Sequence, residues 1–590
     1  MNVADYIMKF FSEKGVNTVF MIVGGHAMYL NDAVAKSPKL QVICNHHEQA
    51  CTMSACGYAS VSGTPAIACV TAGPGALNAI NGVVGAFTDS LPLIVISGQS
   101  DIKFVKYQRD TNVRQIGVQG LDIKPMVEKY VKYFVTLDDT SMIRHHLEIA
   151  WQEAISGRMG PVWIDVPLDV QRAEFDEKAQ KETSIPVPCK PEPTQDEIET
   201  VLQKISNAKR PLFIAGHGIR LANARAEFLT LSKKLNIPCV TTGMSVDLID
   251  SDDDLFVGRP GNYGDRAGNF AIQNADLIIS LGCRLATPLI GFKPHLFGEN
   301  AFKIMVDIDE TELNKELVPI DIKIKSDCKI FIEKLLESPA TLPSFTSWVE
   351  RCKNWKYKYY PLPDSAKSDT PINTYYFFSR LSDFLKNDDI LVTDSGSCLA
   401  VSRHIFKIKD GQKFVSSGGV SSMGYWAASV GACVGNNKKQ TICAVGDGSF
   451  QMNIQELAVI KHNNLPIKIF VINNDGYLLL RNTQRNFMQD RFIGESPESG
   501  LWCPNSVDIA QAYGIKSFRI ESPDEIDEKI QEIIAYDGPV ICDVVSLKWQ
   551  TIAPRVMSRK APDGTLISTD FSDMFPFLPR DEYEENMRND

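Results

Sequence analysis

The sequence predicts an α/β protein with three doubly wound domains, each a parallel β-sheet covered by helices on both faces. Short apolar runs such as AIACVTA and LPLIVISG alternate with helical segments, a pattern typical of parallel sheets. A length of 590 residues suits more than one such domain. The composition, 44% hydrophobic and 23% charged, is that of an ordinary globular protein.

The charge, the apolar stretches and the cysteines exclude several classes of protein. A net charge of −11 without a long Lys/Arg block argues against a nucleic-acid partner. Every apolar stretch is interrupted well short of a bilayer span, and Asp5 and Glu13 lie in what reads as an amphipathic helix rather than a signal peptide, so we expect no membrane segment. The 14 cysteines show no metal-binding spacing, which indicates reduced thiols in a cytoplasmic protein.

Changes in composition divide the chain into predicted segments. Residues 1–175 form the first domain, and residues 176–195, which are charged and Pro-rich, form a linker. A Rossmann-like second domain covers residues 196–340. Residues 371–555 repeat the architecture of the first domain, and the C-terminal tail, residues 556–590, is expected to wrap the surface or cover a site.

The strongest functional signal is the stretch at 445–481, VGDGSFQMNIQELAVIKHNNLPIKIFVINNDGYLLLR. It predicts a strand, a helix over residues 453–461 and a second strand, with polar residues after each strand. Because the carboxyl ends of parallel strands meet at one edge of a sheet, we expect Asp447 and Asn474 to lie close together. Carboxylate and amide oxygens suit Mg²⁺, which phosphate oxygens commonly complete.

The spacing of GDG and NN resembles the thiamine diphosphate (ThDP) motif. The residues between these two ends, in GDGSFQMNIQELA…NLP…NN, resemble those of the acetolactate synthase group of ThDP enzymes. The resemblance covers nearly the whole chain. It implies a pyrimidine-binding first domain, a diphosphate-binding third domain, and Mg²⁺ held by Asp447, Asn474 and the backbone oxygen of Gly476. The alternative, two unrelated surface turns at Asp-Gly and Asn-Asn, is disfavoured by the flanking sequence.

Glu48 lies in NHHEQACTMSACGYA, at a predicted helix start. In the family that the chain resembles, the matching glutamate hydrogen-bonds N1′ of the aminopyrimidine and stabilises the tautomer that removes the C2 proton. The alternative is a glutamate at a helix N-terminus, stabilised by the helix dipole. We interpret His46 and His47 as structural.

Other candidates of the first domain follow strand ends. Gly24 and Gly25 end the first strand and are predicted to contact the cofactor, as are Gly73 and Asn78 in TAGPGALNA. His26 follows Gly25 in a loop that, in the family, lies over the thiazolium ring. It is therefore a candidate catalytic residue that would bind substrate.

In the third domain, the strand end LVTDSGSC has small residues that would face the diphosphate, where acetolactate synthases more often have Gly-Gln-His. Met423, in SSMGYWAAS, matches the apolar residue that bends the cofactor, and it is predicted to be both catalytic and cofactor-binding. A core methionine that fills a gap is the alternative. The remaining predicted cofactor contacts of this domain are Ser395, Gly396, Ser397, Cys398, Gly446, Gly448, Ser449, Asn474, Gly476 and Tyr477.

The second domain resembles the middle domain of acetolactate synthases, which holds FAD in a non-redox role. Gly216 and Gly218 alone form only a weak dinucleotide fingerprint. Gly282 and Arg284 match a glycine and an arginine at that flavin, and Asp327 matches its adenine end. LATPLIG replaces the usual FDDRVTG, so an ADP-type ligand or an empty site stays open beside FAD.

Two departures from acetolactate synthases bear on the substrate. Thr483 replaces a tryptophan that bounds a small acceptor pocket, and Val118 replaces a phenylalanine next to Gln119, a candidate catalytic residue. Smaller side chains predict a larger or more polar acceptor. GGHAMYLNDA, CNHHEQA, the NTQ segment and the tail are more similar to acetolactate-synthase-like proteins of surface-polysaccharide and branched deoxysugar pathways.

The sequence thus predicts an enzyme, a ThDP- and Mg²⁺-dependent carboligase. It would decarboxylate a 2-oxo acid, preferably pyruvate, and transfer the acyl-anion equivalent to a carbonyl acceptor such as a keto-sugar nucleotide. Acetolactate synthase proper and simple 2-oxoacid decarboxylase are the alternatives. A non-catalytic homologue would have lost Glu48 or a metal ligand, and this chain keeps both. The family builds each site from two subunits, which implies a homodimer or homotetramer.

Overall fold

Three six-stranded sheets follow one another along the chain, and all strand pairings within them are parallel. The computed structural model describes residues 1–181, 185, 188–339, 343–560, 566–567 and 569–588. Helices flank each sheet. The predicted α/β class with three doubly wound domains is therefore confirmed.

The first sheet has the strand order β2-β1-β3-β4-β6-β5. Its strands are β1 (Thr18–Met21), β2 (Gln41–Cys44), β3 (Ala66–Val70), β4 (Leu93–Gln99), β5 (Tyr133–Thr136) and β6 (Pro161–Pro167). Its helices are α1 (Val3–Glu13), α2 (Met28–Ala35), α3 (Glu48–Ser62), α4 (Pro74–Asp89), α5 (Ile102–Thr111), α6 (Lys124–Val127), α7 (Ile143–Ile155) and α8 (Leu168–Arg172).

The second sheet has the strand order β12-β11-β10-β7-β8-β9. Its strands are β7 (Pro211–Ala215), β8 (Cys239–Thr241), β9 (Phe256–Gly258), β10 (Leu277–Leu281), β11 (Phe302–Asp307) and β12 (Ile322–Lys325). Its helices are α9 (Gln195–Asn207), α10 (His217–Leu221), α11 (Arg225–Leu235), α12 (Arg266–Asn274), α13 (Thr287–Ile290), α14 (Glu310–Leu313) and α15 (Cys328–Glu337), and α16 (Thr346–Lys358) follows.

The third sheet has the strand order β14-β13-β15-β16-β18-β17, which is the order of the first sheet repeated. Its strands are β13 (Ile390–Thr393), β14 (Lys413–Ser416), β15 (Thr441–Gly446), β16 (Ile467–Asn473), β17 (Lys516–Ile520) and β18 (Val540–Val545). Its helices are α17 (Thr374–Phe384), α18 (Ser397–Ile405), α19 (Ala428–Gly435), α20 (Asp447–Phe450), α21 (Glu456–His462), α22 (Leu478–Phe487), α23 (Ser506–Ala512) and α24 (Ile526–Ala535).

The first and third domains pack directly on each other through α3 and α19. Gly57 and Gly431 lie in this contact, and a side chain at either position would collide with the backbone of the opposite helix. Small residues therefore let the two helices approach closely. One apolar core continues across the contact and includes Trp163 of the first domain and Trp426 of the third.

The described part of the C-terminal tail lies on the central domain. It contains the short strands β19 (Arg559–Lys560) and β20 (Leu566–Ile567) and helix α25 (Arg580–Met587). Phe571 is buried in the central core, and the Asn586 side chain accepts a hydrogen bond from the Trp355 indole at 2.7 Å. Residues 561–565, 568 and 589–590 of the predicted tail, 182–184 and 186–187 of the predicted linker, and 340–342 lie outside the described residues.

The exact limits predicted for the domains stay a prediction. Among the helices of the described ranges, none combines the length and the apolar character needed to cross a bilayer.

Candidate active site

The third sheet brings the predicted metal-binding residues together at its carboxyl edge. Strands β15 and β16 are neighbours, so the residues that follow them are adjacent. Asp447 begins α20, and its Oδ2 accepts a hydrogen bond from the backbone N–H of Gly476 at 2.9 Å. Its Oδ1 accepts the N–H of Gly448 at 2.9 Å. The Asp447 carboxylate therefore reaches the turn after β16.

The amide oxygen of Asn474 shows that this turn fits a cation. Asn474 Oδ1 is buried and accepts no hydrogen bond, which is costly for a polar atom. Burial also raises the pKa of Asp447 to about 6, because the charged carboxylate loses its hydration. A bound cation would stabilise both groups. Because the candidate ligands, with the backbone oxygen of Gly476, are all oxygen atoms, they fit Mg²⁺.

Two glycines at the same edge leave space for a ligand. A Cβ at Gly396 or Gly446 would meet no atom within 4 Å. Gly396 has φ +85°, a conformation that favours glycine, and it directly precedes α18, whose first N–H groups lack partners within the helix. This combination fits a diphosphate. Gly448 differs, because the Tyr477 ring covers it.

The other candidates of this domain are divided between the edge and the core. Ser397 begins α18, and Ser449 is buried in α20. The Cys398 side chain is buried in the apolar core, which raises the pKa of its thiol. Only the backbone of Cys398 is therefore placed to face a ligand. Met423 is partly buried and lies between β14 and α19.

Asp394 is a residue of this site that sequence reasoning missed. Its Oδ1 accepts the N–H of Ser395 at 2.6 Å, and its Oδ2 accepts the N–H of Trp426 at 3.0 Å. Burial raises the pKa of Asp394 to about 7. Asp394 thus connects the end of β13 to the segment that carries Met423. It lies within LVTDSGSC, so its position after a strand was the available signal.

The first sheet presents Glu48 at its carboxyl edge, at the first residue of α3. The Asn78 side chain donates a hydrogen bond from Nδ2 to Glu48 Oε2 at 3.0 Å. A Cβ at Gly75 would lie 3.2 Å from Glu48 Oε1, so glycine leaves room for the carboxylate. The structure therefore brings Glu48 and Asn78 together and orients the carboxylate.

Three glycines and Gln119 are further candidates of the first domain. Gly73 has φ +62° and packs against the backbone oxygen of Gln119, whose own φ is +53°. Gly24 packs against Thr71, while a Cβ at Gly25 would meet no atom within 4 Å.

The histidines of this edge have separate environments. His26 Nδ1 is buried and has no hydrogen-bond partner. An unpartnered ring nitrogen at a strand end is compatible with binding a ligand, but no contact joins it to Glu48. His47 caps α3 by accepting the N–H of Gln49 at 3.3 Å, and the backbone N–H of His46 donates to Glu456 at 3.0 Å.

Helix α4 connects the two edges. Asn78 of this helix holds Glu48, and one turn further Asn81 accepts a hydrogen bond from the Ser422 hydroxyl at 2.9 Å. At the end of the helix, Asp89 accepts the N–H groups of Gly418 at 2.9 Å and Gly419 at 2.6 Å. The segment that leads to Met423 is therefore fixed by the first domain of the same chain.

Glu456 is a second residue of this region that the sequence analysis did not single out, although it lies within the stretch at 445–481. It is fully buried and accepts hydrogen bonds from Asn45 Nδ2 at 2.9 Å and from the His46 N–H at 3.0 Å. These contacts join the third domain to the start of α3. Burial raises the pKa of Glu456 from 4.5 to about 7, and the hydrogen bonds lower it less.

Glu456→Gln is expected to change how the stability of the protein depends on pH. The folded carboxyl holds its proton more tightly than the unfolded one. Its contribution to stability is therefore complete below pH 4.5 and is lost as the pH rises to about 7. The free energy of unfolding of the wild type should fall by about 3 kcal/mol relative to the variant over this range. Urea unfolding at a series of pH values measures this difference, and Glu148→Gln, a partly exposed partner of Lys14, is the control. Parallel pH profiles for wild type and Glu456→Gln would contradict it.

A cavity of ≈ 800 Å³ lies between the three domains. Its lining extends from Asp327, at the start of α15, to Gly396 of the third domain. Arg284 Nη1 donates to the backbone oxygen of Thr88 at 2.9 Å, and Asp327 pairs with Lys190 at 2.9 Å. The structure therefore places the predicted flavin residues Arg284 and Asp327 on one cavity.

The candidate glycines of the second domain allow the ends of two strands to pack closely against each other. A Cβ at Gly218 would lie 2.7 Å from the Cα of Gly282, and Gly216 also packs against Gly282. Strand ends β7 and β10 can approach each other only because these positions lack side chains. Gly218 and Gly282 nevertheless line the cavity.

The strand ends thus present an oriented carboxylate on the first domain and, on the third domain, buried oxygen atoms beside an open glycine turn. Models of thiamine pyrophosphate enzymes match in three parts: the N-terminal TPP binding domain at residues 1–126, the central domain at 198–335, and the C-terminal TPP binding domain at 394–544. The chain is a ThDP-dependent enzyme.

Several curated proteins are similar over almost their full length. The chain is 32% identical to a probable acetolactate synthase large subunit of Methanocaldococcus jannaschii, with 92% of each chain covered. It is 30% identical to the acetolactate synthase large subunit of Lactococcus lactis, with 97% of this chain and 96% of the relative covered. It is 29% identical to the acetolactate synthase isozyme 2 large subunit of Escherichia coli, with 94% and 97% covered.

The chain therefore belongs to the acetolactate synthase-like family of ThDP-dependent enzymes. The family predicted from the sequence is confirmed. These relatives do not show the closer similarity to surface-polysaccharide and deoxysugar proteins that the sequence motifs suggested.

Proposed function

We propose that the chain decarboxylates pyruvate and joins the remaining two-carbon unit to a second 2-oxo acid, as an acetolactate synthase. The observation that carries this proposal is the pair of strand-end sites, with the Glu48 carboxylate oriented by Asn78 and the unpartnered oxygen of Asn474 beside Asp447. The names of the relatives support this acceptor better than the keto-sugar nucleotide preferred from the sequence.

Bound ThDP supplies an electron sink that accepts the electrons left when CO₂ departs from a 2-oxo acid. Glu48 would hold a proton at N1′ of the aminopyrimidine, and Asn78 keeps the carboxylate in place for this contact. Asp447 and Asn474, with the backbone oxygen of Gly476, would hold the Mg²⁺ that binds the diphosphate. The side chains that surround the substrate carbonyls would come from the loops at both edges, including His26, Gln119 and Met423.

The acceptor is tested by product analysis of the wild-type protein with ThDP, Mg²⁺ and pyruvate. The proposal predicts acetolactate from pyruvate alone. A keto-sugar nucleotide that gains two carbons, with no product from pyruvate alone, would favour the second candidate. That candidate rests on Thr483 and Val118, which replace larger side chains of the family.

We also infer that a second copy of the chain completes each site. Large apolar side chains are exposed at the two edges: Val23 is 67% exposed, Val118 77%, Ile493 77% and Trp502 74%. Exposed apolar groups at a functional edge indicate a surface that another protein covers. A two-fold symmetric homodimer would cover both edges at once, with the first domain of each subunit facing the third domain of the other.

Mixed dimers test this arrangement. Glu48→Gln and Asp447→Asn chains are each expected to be inactive alone. In a mixed dimer, one site combines the intact first domain of one chain with the intact third domain of the other. Random mixing should therefore restore about a quarter of the wild-type activity, because half of the dimers have one intact site of two. Activity that stays at the level of the single variants would contradict a shared site.

We propose that the central cavity binds a flavin nucleotide. Its volume of ≈ 800 Å³ falls within the range of cofactor sites, and Arg284 and Asp327 lie on its wall. The protein as purified should release flavin on unfolding, read from its visible absorbance. An adenine nucleotide without flavin, or no nucleotide, would contradict this assignment in favour of the alternatives.

A further inference from the structure

The turn that carries the proposed metal ligands is held by an arginine that the proposed function does not use. Arg481 is the fourth residue of α22, seven positions after Asn474, and its side chain is fully buried. Its ion-pair partner, Glu495, is 4% exposed and follows α22 in a separate segment. A buried arginine is rarely tolerated without a complete set of acceptors.

Arg481 has such a set. Nη1 donates to the backbone oxygens of Asn474 at 3.0 Å and Lys548 at 2.6 Å. Nη2 donates to the backbone oxygens of Asp475 at 2.6 Å and Glu495 at 3.2 Å. Nε donates to the Glu495 carboxylate. The five acceptors match the five N–H donors of a guanidinium, so the group is saturated.

Two of these acceptors belong to the metal turn itself. The carbonyl oxygens of Asn474 and Asp475 belong to the two peptide groups that connect the proposed ligand Asn474 to Gly476. Fixing both carbonyls fixes the planes of these two peptides and the backbone that carries the Asn474 side chain. The Gly476 carbonyl belongs to the next peptide group, whose N–H, at Tyr477, donates to the backbone oxygen of Glu495.

Glu495 completes the support from the opposite side. Its backbone oxygen accepts the N–H of Tyr477 at 2.8 Å, and any side chain at Gly476 would collide with that oxygen. Gly476 has φ +123°, a conformation that glycine adopts readily and that residues with a side chain rarely adopt, so the shape of the turn depends on glycine at this position. The Glu495 carboxylate is itself fixed by the Ser496 hydroxyl at 2.7 Å.

We propose that Arg481 and Glu495 are positioning residues for Mg²⁺: they hold the turn after β16 in the shape that directs the Asn474 and Gly476 oxygens at the ion. This inference rests on the proposed metal site. A lysine cannot replace the arginine, because one ammonium group cannot reach carbonyls on both branches of a guanidinium.

The test measures the Mg²⁺ concentration that gives half-maximal ThDP binding, by titration calorimetry of the full-length protein, together with the thermal midpoint. Arg481→Lys should raise this concentration about 10–100-fold, the usual effect of losing a group that orients a metal ligand. Glu495→Gln should raise it less, because Arg481 keeps its carbonyl acceptors.

Arg380→Lys is the matched control. Arg380 of α17 makes a two-bond ion pair with Asp527 of α24, both bonds at 2.8 Å, on the same domain but away from the turn. It should change the thermal midpoint without changing the Mg²⁺ requirement. Arg481→Lys or Glu495→Gln protein with the wild-type Mg²⁺ requirement would overturn the proposal, and if Arg481→Lys does not fold, Glu495→Gln alone decides.

Asp447→Asn separates this proposal from the metal assignment. If Asp447→Asn fails to bind ThDP at any Mg²⁺ concentration while Arg481→Lys keeps the wild-type Mg²⁺ requirement, the metal site stands and the positioning role is wrong. If Asp447→Asn binds ThDP with the wild-type Mg²⁺ requirement, the metal assignment itself is wrong, and the positioning role is overturned with it.

Discussion

Glu48→Gln is expected to lower turnover about 10²–10⁴-fold while the protein still binds ThDP, the usual scale for a positioned acid or base. The amide can still accept the hydrogen bond from Asn78, so the local structure at the start of α3 should persist. It cannot exchange a proton with the aminopyrimidine. The loss should therefore appear in the rate constant and not in cofactor affinity.

Steady-state kinetics and a ThDP titration measure the two quantities separately. Glu148→Gln, a substitution of the same kind at a partly exposed glutamate paired with Lys14, should leave both unchanged. Near-normal turnover of Glu48→Gln would remove Glu48 from the reaction. Equal losses in turnover and in ThDP binding would reduce its role to cofactor binding.

Asp447→Asn is expected to abolish retention of ThDP after gel filtration, because the neutral amide is a weak ligand for Mg²⁺ and the diphosphate then lacks its bridge to the protein. Without cofactor, the variant should be at least as stable to unfolding as the cofactor-free wild type, since bound ThDP would itself stabilise the fold. Burial disfavours the Asp447 carboxylate, so its removal eliminates a buried charge.

Asp475→Asn is the matched control for this prediction. Asp475 lies in the same turn, but its carboxylate pairs with Lys548 at 2.7 Å and its side chain is 46% exposed. This variant should retain ThDP. Full cofactor retention by Asp447→Asn, or equal loss in both variants, would contradict the assignment of Asp447 as a metal ligand.

The sequence predicted the three-domain α/β class because many strands of these sheets are short apolar runs followed by polar or glycine-rich turns, although edge strands such as β12 (IKIK) and β17 (KSFRI) are not. It also predicted the helix start at Glu48, which the structure has at that residue. The helix predicted over residues 453–461 begins instead at Glu456. Asn453 has φ +67°, which no helix residue adopts, and a separate short helix occupies residues 447–450.

Contacts between distant parts of the chain could not be predicted from local patterns. Asn45 and Glu456 are 411 positions apart, and only the packing of α3 on α19 brings them together. The ion pair of Arg481 and Glu495, only 14 positions apart, was not predictable for another reason: a buried charged residue in an amphipathic helix has the same sequence pattern as an exposed one. Asp394 was not predicted as a site residue because its carboxylate accepts hydrogen bonds from backbone N–H groups. Every residue except proline has such a group, so the sequence does not indicate which ones a carboxylate will contact.

The ratio of pyruvate consumed to CO₂ released tests the central claim most directly. It is measured with the wild-type protein, ThDP and Mg²⁺, and pyruvate as the sole substrate. A carboligase that uses pyruvate as donor and acceptor consumes two molecules of pyruvate for each CO₂ and accumulates acetolactate. Equal amounts of pyruvate consumed and CO₂ released, with free acetaldehyde as the product, would identify a simple decarboxylase and contradict the proposed function.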